Sequence, residues 1–204
     1  MALLACGAVA GPLFVVVTVV EAFTRSGFDI TRHPPSLLSL GDLGWIQVTN
    51  FVLSGSLFVA GAAGMRRASA SKWSSGPIAV FGAAMIVGGI FVVDGGLGFP
   101  DGAPAGQPST MSSHAVVHLS AFAIGFAALV AACGVWACGF WIDARRNWAL
   151  YSLTAGVLSA ACFVIVMSGL TQGNLLPLWF AVMVGWTWAS AMAARLTWVS
   201  AARI

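Results

Sequence analysis

An all-α integral membrane protein, a bundle of six transmembrane helices with both termini cytoplasmic, is the fold class this sequence predicts. Three observations lead there. Charge is scarce: of 204 residues only 9 are Lys or Arg and 6 are Asp or Glu, 7% of the chain, where soluble domains average about 25%. The hydrophobic share is 59%, with a mean hydropathy of +0.94. Uncharged runs also recur at about the 20-residue length that crosses a hydrocarbon layer of roughly 30 Å. A soluble globule is excluded because so few charges cannot furnish its polar skin. A disordered chain is excluded by the same composition. A net charge of +3, with no basic stripe, excludes a nucleic-acid binder.

The elements follow in order, as one domain over residues 1–204. Met1 to Val20 is uncharged and closed by Glu21. It lacks the basic start of a signal peptide and is too long for one, so residues 2–22 are expected as a retained span. The second span, 43–65, stops at Arg66 and Arg67. The third, 75–94, lies between Lys72 and Asp94, with Pro77 near its start. The Pro/Gly/Ser-rich stretch GAPAGQPSTMSS is a loop, which places the fourth span at 114–140. The uncharged run Asn147 to Ala194 is twice a span length. It folds back at Thr171-Gln172-Gly173-Asn174, ahead of Pro177, giving spans 148–170 and 176–197.

With six spans the loops alternate sides. Arg66, Arg67, Lys72, Arg145, Arg146, Arg195 and Arg203 fall on one side, against Arg25 and Arg32 on the other. The positive-inside rule makes the richer side cytoplasmic, as in a bacterial plasma membrane. Glu21, Asp29, Asp42, Asp94 and Asp101 gather on the opposite, outer side with all three histidines, while Asp143 alone among the acids is cytoplasmic. Cys6, Cys133, Cys138 and Cys162 lie in apolar stretches without C-x-x-C spacing, as small core residues. Gly7-x-x-x-Gly11 marks a close helix contact, within the chain or between subunits.

The candidate chemistry sits at the outer ends. Asp94 closes the apolar run GAAMIVGGIFVVD, where an ionised carboxylate is costly unless paired or hydrated. His114 and His118, in SHAVVHLS, share one helix face a turn apart. In the first outer loop Arg25, Asp29, Arg32, His33, Ser36 and Asp42 crowd into a chain that is otherwise nearly free of charge. Its arginines are expected to pair with Asp29, Asp42, Glu21 or an anionic ligand, and the loop to be either solvated or a lid, stiffened by Pro34-Pro35. Trp45, Trp73, Trp141, Trp148, Trp179 and Trp198 fall near span ends, as an interfacial belt. Trp136, Trp186 and Trp188 lie deeper, as candidates to line an apolar cavity or to face lipid.

The segments FDITRHPPSLLSLGDLGW, FVVDGGLGFP with HAVVH, and GWTWASAMAARL resemble the six-span bacterial membrane family catalogued as domain of unknown function 998. The resemblance covers nearly the whole chain, and the first loop is its most specific part. It implies a six-helix membrane fold with Asp94, His33, His114 and His118 at the family's polar positions. Gly95 stands where a proline is expected after the aspartate. The resemblance supplies no reaction.

The leading functional expectation is an intramembrane enzyme acting on an apolar isoprenoid or lipid, by analogy with small terpene cyclases. Asp94 serves as a general acid with a pKa raised by burial, His114 or His118 positions or returns its proton, and aromatic faces steady positive charge. No cofactor is required in that reading. An alternative is a metal-dependent lipid hydrolase in which His33, His114 and His118 hold zinc and Asp94 orients the bound water. A further alternative is a non-catalytic transporter, sensor or assembly partner, although no inverted repeat is visible. The expected partners are membrane lipid and an apolar small molecule, with oligomerisation left open.

Overall fold

A computed structural model describes residues 1–68 and 74–201. Lys72 and Arg203, counted above on the basic side, and Trp73, counted in the aromatic belt, lie outside the described residues. Among the described residues the chain forms α1 (Ala2–Thr24), α2 (Gly44–Ala68), α3 (Gly76–Ile90), α4 (Ser113–Ile142), α5 (Arg146–Met167) and α6 (Leu176–Ala201). Five of the six are long and apolar enough to cross a bilayer, and α3 is the short one. The protein is therefore an all-α, multi-pass membrane protein. Exposed Val16, Ile124, Val157 and Val164 on its flanks are suited to contact lipid tails.

Each helix packs against its neighbours in sequence, and α6 returns to α1 to close the ring. Small residues set the close spacing, since between helices in lipid the attraction is mostly van der Waals packing. A Cβ on Gly61 of α2 would come within 2.6 Å of the Gly7 Cα, and one on Gly11 would strike the Trp186 carbonyl oxygen of α6. The Gly7-x-x-x-Gly11 pair is thus used inside the chain. Ser190 of α6 enters the α1 backbone at the same place. Its Oγ donates to the Gly7 carbonyl at 2.8 Å and accepts the Gly11 N–H at 2.8 Å. One hydroxyl thereby bridges a donor and an acceptor four residues apart, beside Pro12, whose ring already interrupts the α1 ladder.

The largest departure from the expected spans is in the third. The expectation ran to Asp94, but α3 stops at Ile90 and Phe91 is extended. Apolarity continues through Val92 and Val93, so hydropathy carries no sign of the break. A partner for the carbonyls at this end comes from another helix: His118 Nδ1 sits 2.8 Å from the Gly88 carbonyl and 2.9 Å from that of Phe91. It supplies a hydrogen bond that the ending helix has lost. Elsewhere the boundaries shift by a few residues; α5 ends at Met167 rather than 170. The expected fold-back before α6 is a turn in which the Asn174 N–H reaches the Thr171 carbonyl. Asn174 Oδ1 also accepts the Leu176 N–H at 2.9 Å.

Candidate functional site

At one end of the bundle, the segments joining α1 to α2 and α3 to α4 fold together over a cavity. The first segment is pinned from many sides. Arg25 donates through Nη1 to Leu38 O at 3.2 Å and through Nη2 to Leu40 O at 2.6 Å. Its Nη1 also lies 3.4 Å from Glu21 Oε1. Trp179 Nε1 donates to the His33 carbonyl at 2.9 Å, and the Leu175 N–H to Thr31 O at 2.7 Å. Pro34-Pro35 leads into a turn of 3-10 helix, Pro35–Ser39, instead of a plain extended piece. The segment is a cap tied down on several sides, and Arg25 serves it through Glu21 and main-chain carbonyls.

His33 is a structural member of that cap. It is buried, its Nδ1 accepts the Asp29 N–H at 2.9 Å, and its Nε2 donates to Leu97 O at 3.1 Å. Both ring nitrogens are occupied, so neither has a lone pair free for a metal. Among the described residues no three His, Cys, Asp or Glu side chains are grouped to hold one. The three histidines of the alternative zinc reading are not grouped among the described residues. Asp29 accepts from the Thr31 N–H and Oγ1, which hold its carboxyl below the usual carboxylate range. Arg32 and Asp42 are exposed and form no ion pair among the described residues.

Asp94 departs from its expected role for a related reason. It lies in the loop beyond α3, half-buried, and its Oδ2 accepts the Ser112 N–H at 2.7 Å. Ser112 caps α4, accepting the Ala115 N–H at 3.1 Å. Hydrogen bonding to Ser112, aided by nearby His114, holds the Asp94 carboxyl below the usual range. The expected rise through burial is overcome, because hydrogen bonding to Ser112 at the helix start outweighs the desolvation of the group. Asp94 is thus a carboxylate at neutral pH, an acceptor rather than a general acid.

The two α4 histidines also divide. His114 is exposed against the Phe91 ring, with centroids 5.3 Å apart. His118 is buried. Its Nδ1 faces two carbonyl oxygens, so that nitrogen carries the proton; Nε2 makes no hydrogen bond among the described residues.

The cavity under the cap measures about 760 Å³, within the range of roughly 300–1,000 Å³ that holds a drug-sized ligand. Asp94, Ser36, Gln107 and Ser109 line it from the loops. Phe122 and His118 of α4, Phe163 of α5 and Trp186 of α6 line its deeper part. Of the sequence-selected residues it therefore gathers Asp94, His118, Ser36 and Trp186. His114, His33, Asp29, Arg32, Arg25 and Glu21 are not among its lining residues. Trp136 and Trp188 are buried elsewhere, donating to Ser74 O at 3.0 Å and Ser152 Oγ at 3.1 Å. Trp179, expected in the interfacial belt, is buried under the cap. Trp45, Trp141 and Trp198 are exposed near helix ends, as the belt requires.

One group escaped the sequence reading altogether. Asn50 Nδ2 of α2 donates to the Phe14 carbonyl of α1, to Thr18 Oγ1 and to Gln47 Oε1, at 3.0–3.1 Å. Gln47 Nε2 donates to Thr18 Oγ1 at 3.1 Å and reaches Pro35 O at 3.5 Å, while Ser54 donates to Asn50 Oδ1 at 3.2 Å. This buried polar ladder ties α1, α2 and the cap together. Its signal was present: Gln47, Asn50 and Ser54 recur at helical spacing on one face of an apolar span. None of them is ionisable, and a search for titratable chemistry passes over them.

No curated protein and no solved structure matches this chain. Residues 8–195 match the family model described as protein of unknown function (DUF998), and the chain belongs to that family.

Proposed function

We propose that this member of the DUF998 family is an intramembrane enzyme that takes an apolar isoprenoid- or lipid-class molecule into the capped cavity. The observation that carries the reading is the joint presence of Asp94 and His118 on the wall of one large apolar cavity. The roles differ from those expected of the sequence. His118 Nε2 is the acid–base atom, its ring held by the Gly88 and Phe91 carbonyls. Asp94, already ionised, stabilises positive charge that develops nearby. The aromatic faces of Phe122, Phe163 and Trp186 support the same charge.

The topology belongs to the same proposal: six crossings in a bacterial plasma membrane, both termini cytoplasmic and the capped cavity outside. Helix α3 covers about 22 Å at 1.5 Å per residue. Phe91 is extended, and three residues past the helix add at most about 10 Å at roughly 3.3 Å each, enough for the stretch to reach across the hydrocarbon layer. Non-helical backbone at that depth requires protein partners, and His118 supplies one.

A second reading is favoured by a specific observation. Both polar residues already serve the fold, His118 at the end of α3 and Asp94 at the start of α4. A non-catalytic protein that binds or senses the same molecule uses them equally well. Purification in native lipid discs, followed by mass spectrometry of bound molecules and of products after incubation with isoprenoid and lipid pools, separates the readings. Turnover lost in His118→Gln with binding retained supports the enzyme; binding without turnover supports the second reading. Neither binding nor turnover removes both.

A further inference from the structure

Resting on the reading of the cavity as an apolar-ligand site, we propose that it selects single-chain amphiphiles whose head donates hydrogen bonds, a primary amine above all, and rejects phosphorylated or carboxylated ones. Asp94 is the one charged residue on the wall, and no Lys or Arg lines it among the described residues. An anionic head brought to that mouth meets a carboxylate and no balancing cation. Arg25 of the cap is committed to Glu21 and to the carbonyls of Leu38 and Leu40.

The second polar wall residue points the same way. Nδ1 of His118 spends its proton on Gly88 and Phe91, so the nitrogen left over accepts. Both groups with a fixed polarity on the wall are therefore acceptors, and their complement is a donor. An ammonium satisfies Asp94 as a charge-assisted pair, whereas a hydroxyl satisfies it more weakly. Shape sets the rest. Polar Ser36, Asp94, Gln107 and Ser109 come from the segments between the long helices, while Phe163 and Trp186 come from within helices. Trp186 lies ten residues inside α6, about 15 Å along its axis. A head at the loops with one chain running toward Trp186 fits that gradient.

The test holds the tail constant and varies the head. Binding of farnesylamine, farnesol and farnesyl phosphate to the full-length protein in neutral lipid discs is measured by displacement of a tritiated farnesol probe. The expected order is amine, then alcohol, then phosphate, with the amine at least about tenfold tighter than the phosphate. Asp94→Asn, whose amide oxygen still accepts the Ser112 N–H, is expected to reduce that ratio to near unity while farnesol continues to bind. A phosphate that binds as tightly as the amine in the unaltered protein overturns the proposal without need of the variant. So does a ratio that survives Asp94→Asn in a folded protein. Failure of all three heads to bind overturns the cavity reading itself, a distinguishable result.

Discussion

His118 Nδ1 in α4 lies 2.8 Å from the Gly88 carbonyl oxygen in α3, and this contact caps the end of the third helix. A second carbonyl, that of Phe91, shares the same proton at 2.9 Å. Because the ring supplies the donor, the chain can leave the helix in an apolar setting and enter the loop that carries Asp94. His118→Phe, which keeps a ring but no donor, is expected to destabilise the protein by about 1–3 kcal/mol, the cost of buried unsatisfied carbonyls. His118→Gln, which restores a donor, is expected to recover part of the loss. Denaturation midpoints in detergent check both, and an unchanged midpoint for His118→Phe counts against the capping role.

Ser190→Ala removes the hydroxyl bridging Gly7 O and Gly11 N. The expected cost is about 0.5–1.5 kcal/mol, the net worth of a buried hydrogen bond, since the Gly11 N–H and the Gly7 carbonyl stand in helical i, i−4 register within α1. Gly11→Ala is expected to be far worse, because its Cβ meets the backbone carbonyl of Trp186, which cannot swing aside as a side chain can. Size-exclusion recovery of the two variants is the measurement. A well-folded Gly11→Ala protein contradicts the α1–α6 contact.

Asn50→Leu is expected to loosen the cap as well as the helix pair. Asn50 bonds Phe14 O, Thr18 and Gln47, and Gln47 reaches Pro35 at the start of the 3-10 turn. Hydrogen exchange over residues 36–41 is expected to speed up at least about tenfold, equivalent to about 1.4 kcal/mol of lost local stability. Unchanged protection there separates the ladder from the cap.

Asp94 sets an acid dependence with a definite sign. Its folded pKa lies below the ordinary 3.8, so its stabilising contribution is fully present above the unfolded value. That contribution is lost as pH falls through the folded value. The difference in thermal midpoint between the unaltered protein and Asp94→Asn is expected to stay constant from about pH 5 to 8. It is then expected to shrink below about pH 4. A difference that titrates near neutrality instead restores the raised-pKa general acid.

Filling the cavity tests its use directly. Val182 of α6 is buried and lines it. Val182→Trp is expected to lower binding of a farnesol probe by at least about tenfold with little change in stability, because the added ring occupies space already empty. Undiminished binding places the ligand elsewhere.

The sequence by itself determined the membrane class, the approximate helices, the basic bias, the close approach at Gly7 and Gly11, and the end of the bundle where polar residues gather. Those features are local: hydropathy over about 20 residues answers to bilayer thickness, and small-residue spacing answers to one helix face. Tertiary structure alone decided the protonation and the partners. Asp94 is held further toward the carboxylate form because the chain returns to it at Ser112, and His33 is closed to metal because Leu97 and Asp29 use both its nitrogens. Trp186 lines the cavity while Trp136 and Trp188 are buried elsewhere, though all three sit deep in apolar spans. A polar side chain in lipid is held by whichever donor or acceptor the fold brings to it. The partners here lie up to 183 residues away, as Ser190 lies from Gly7, and no local pattern encodes that choice.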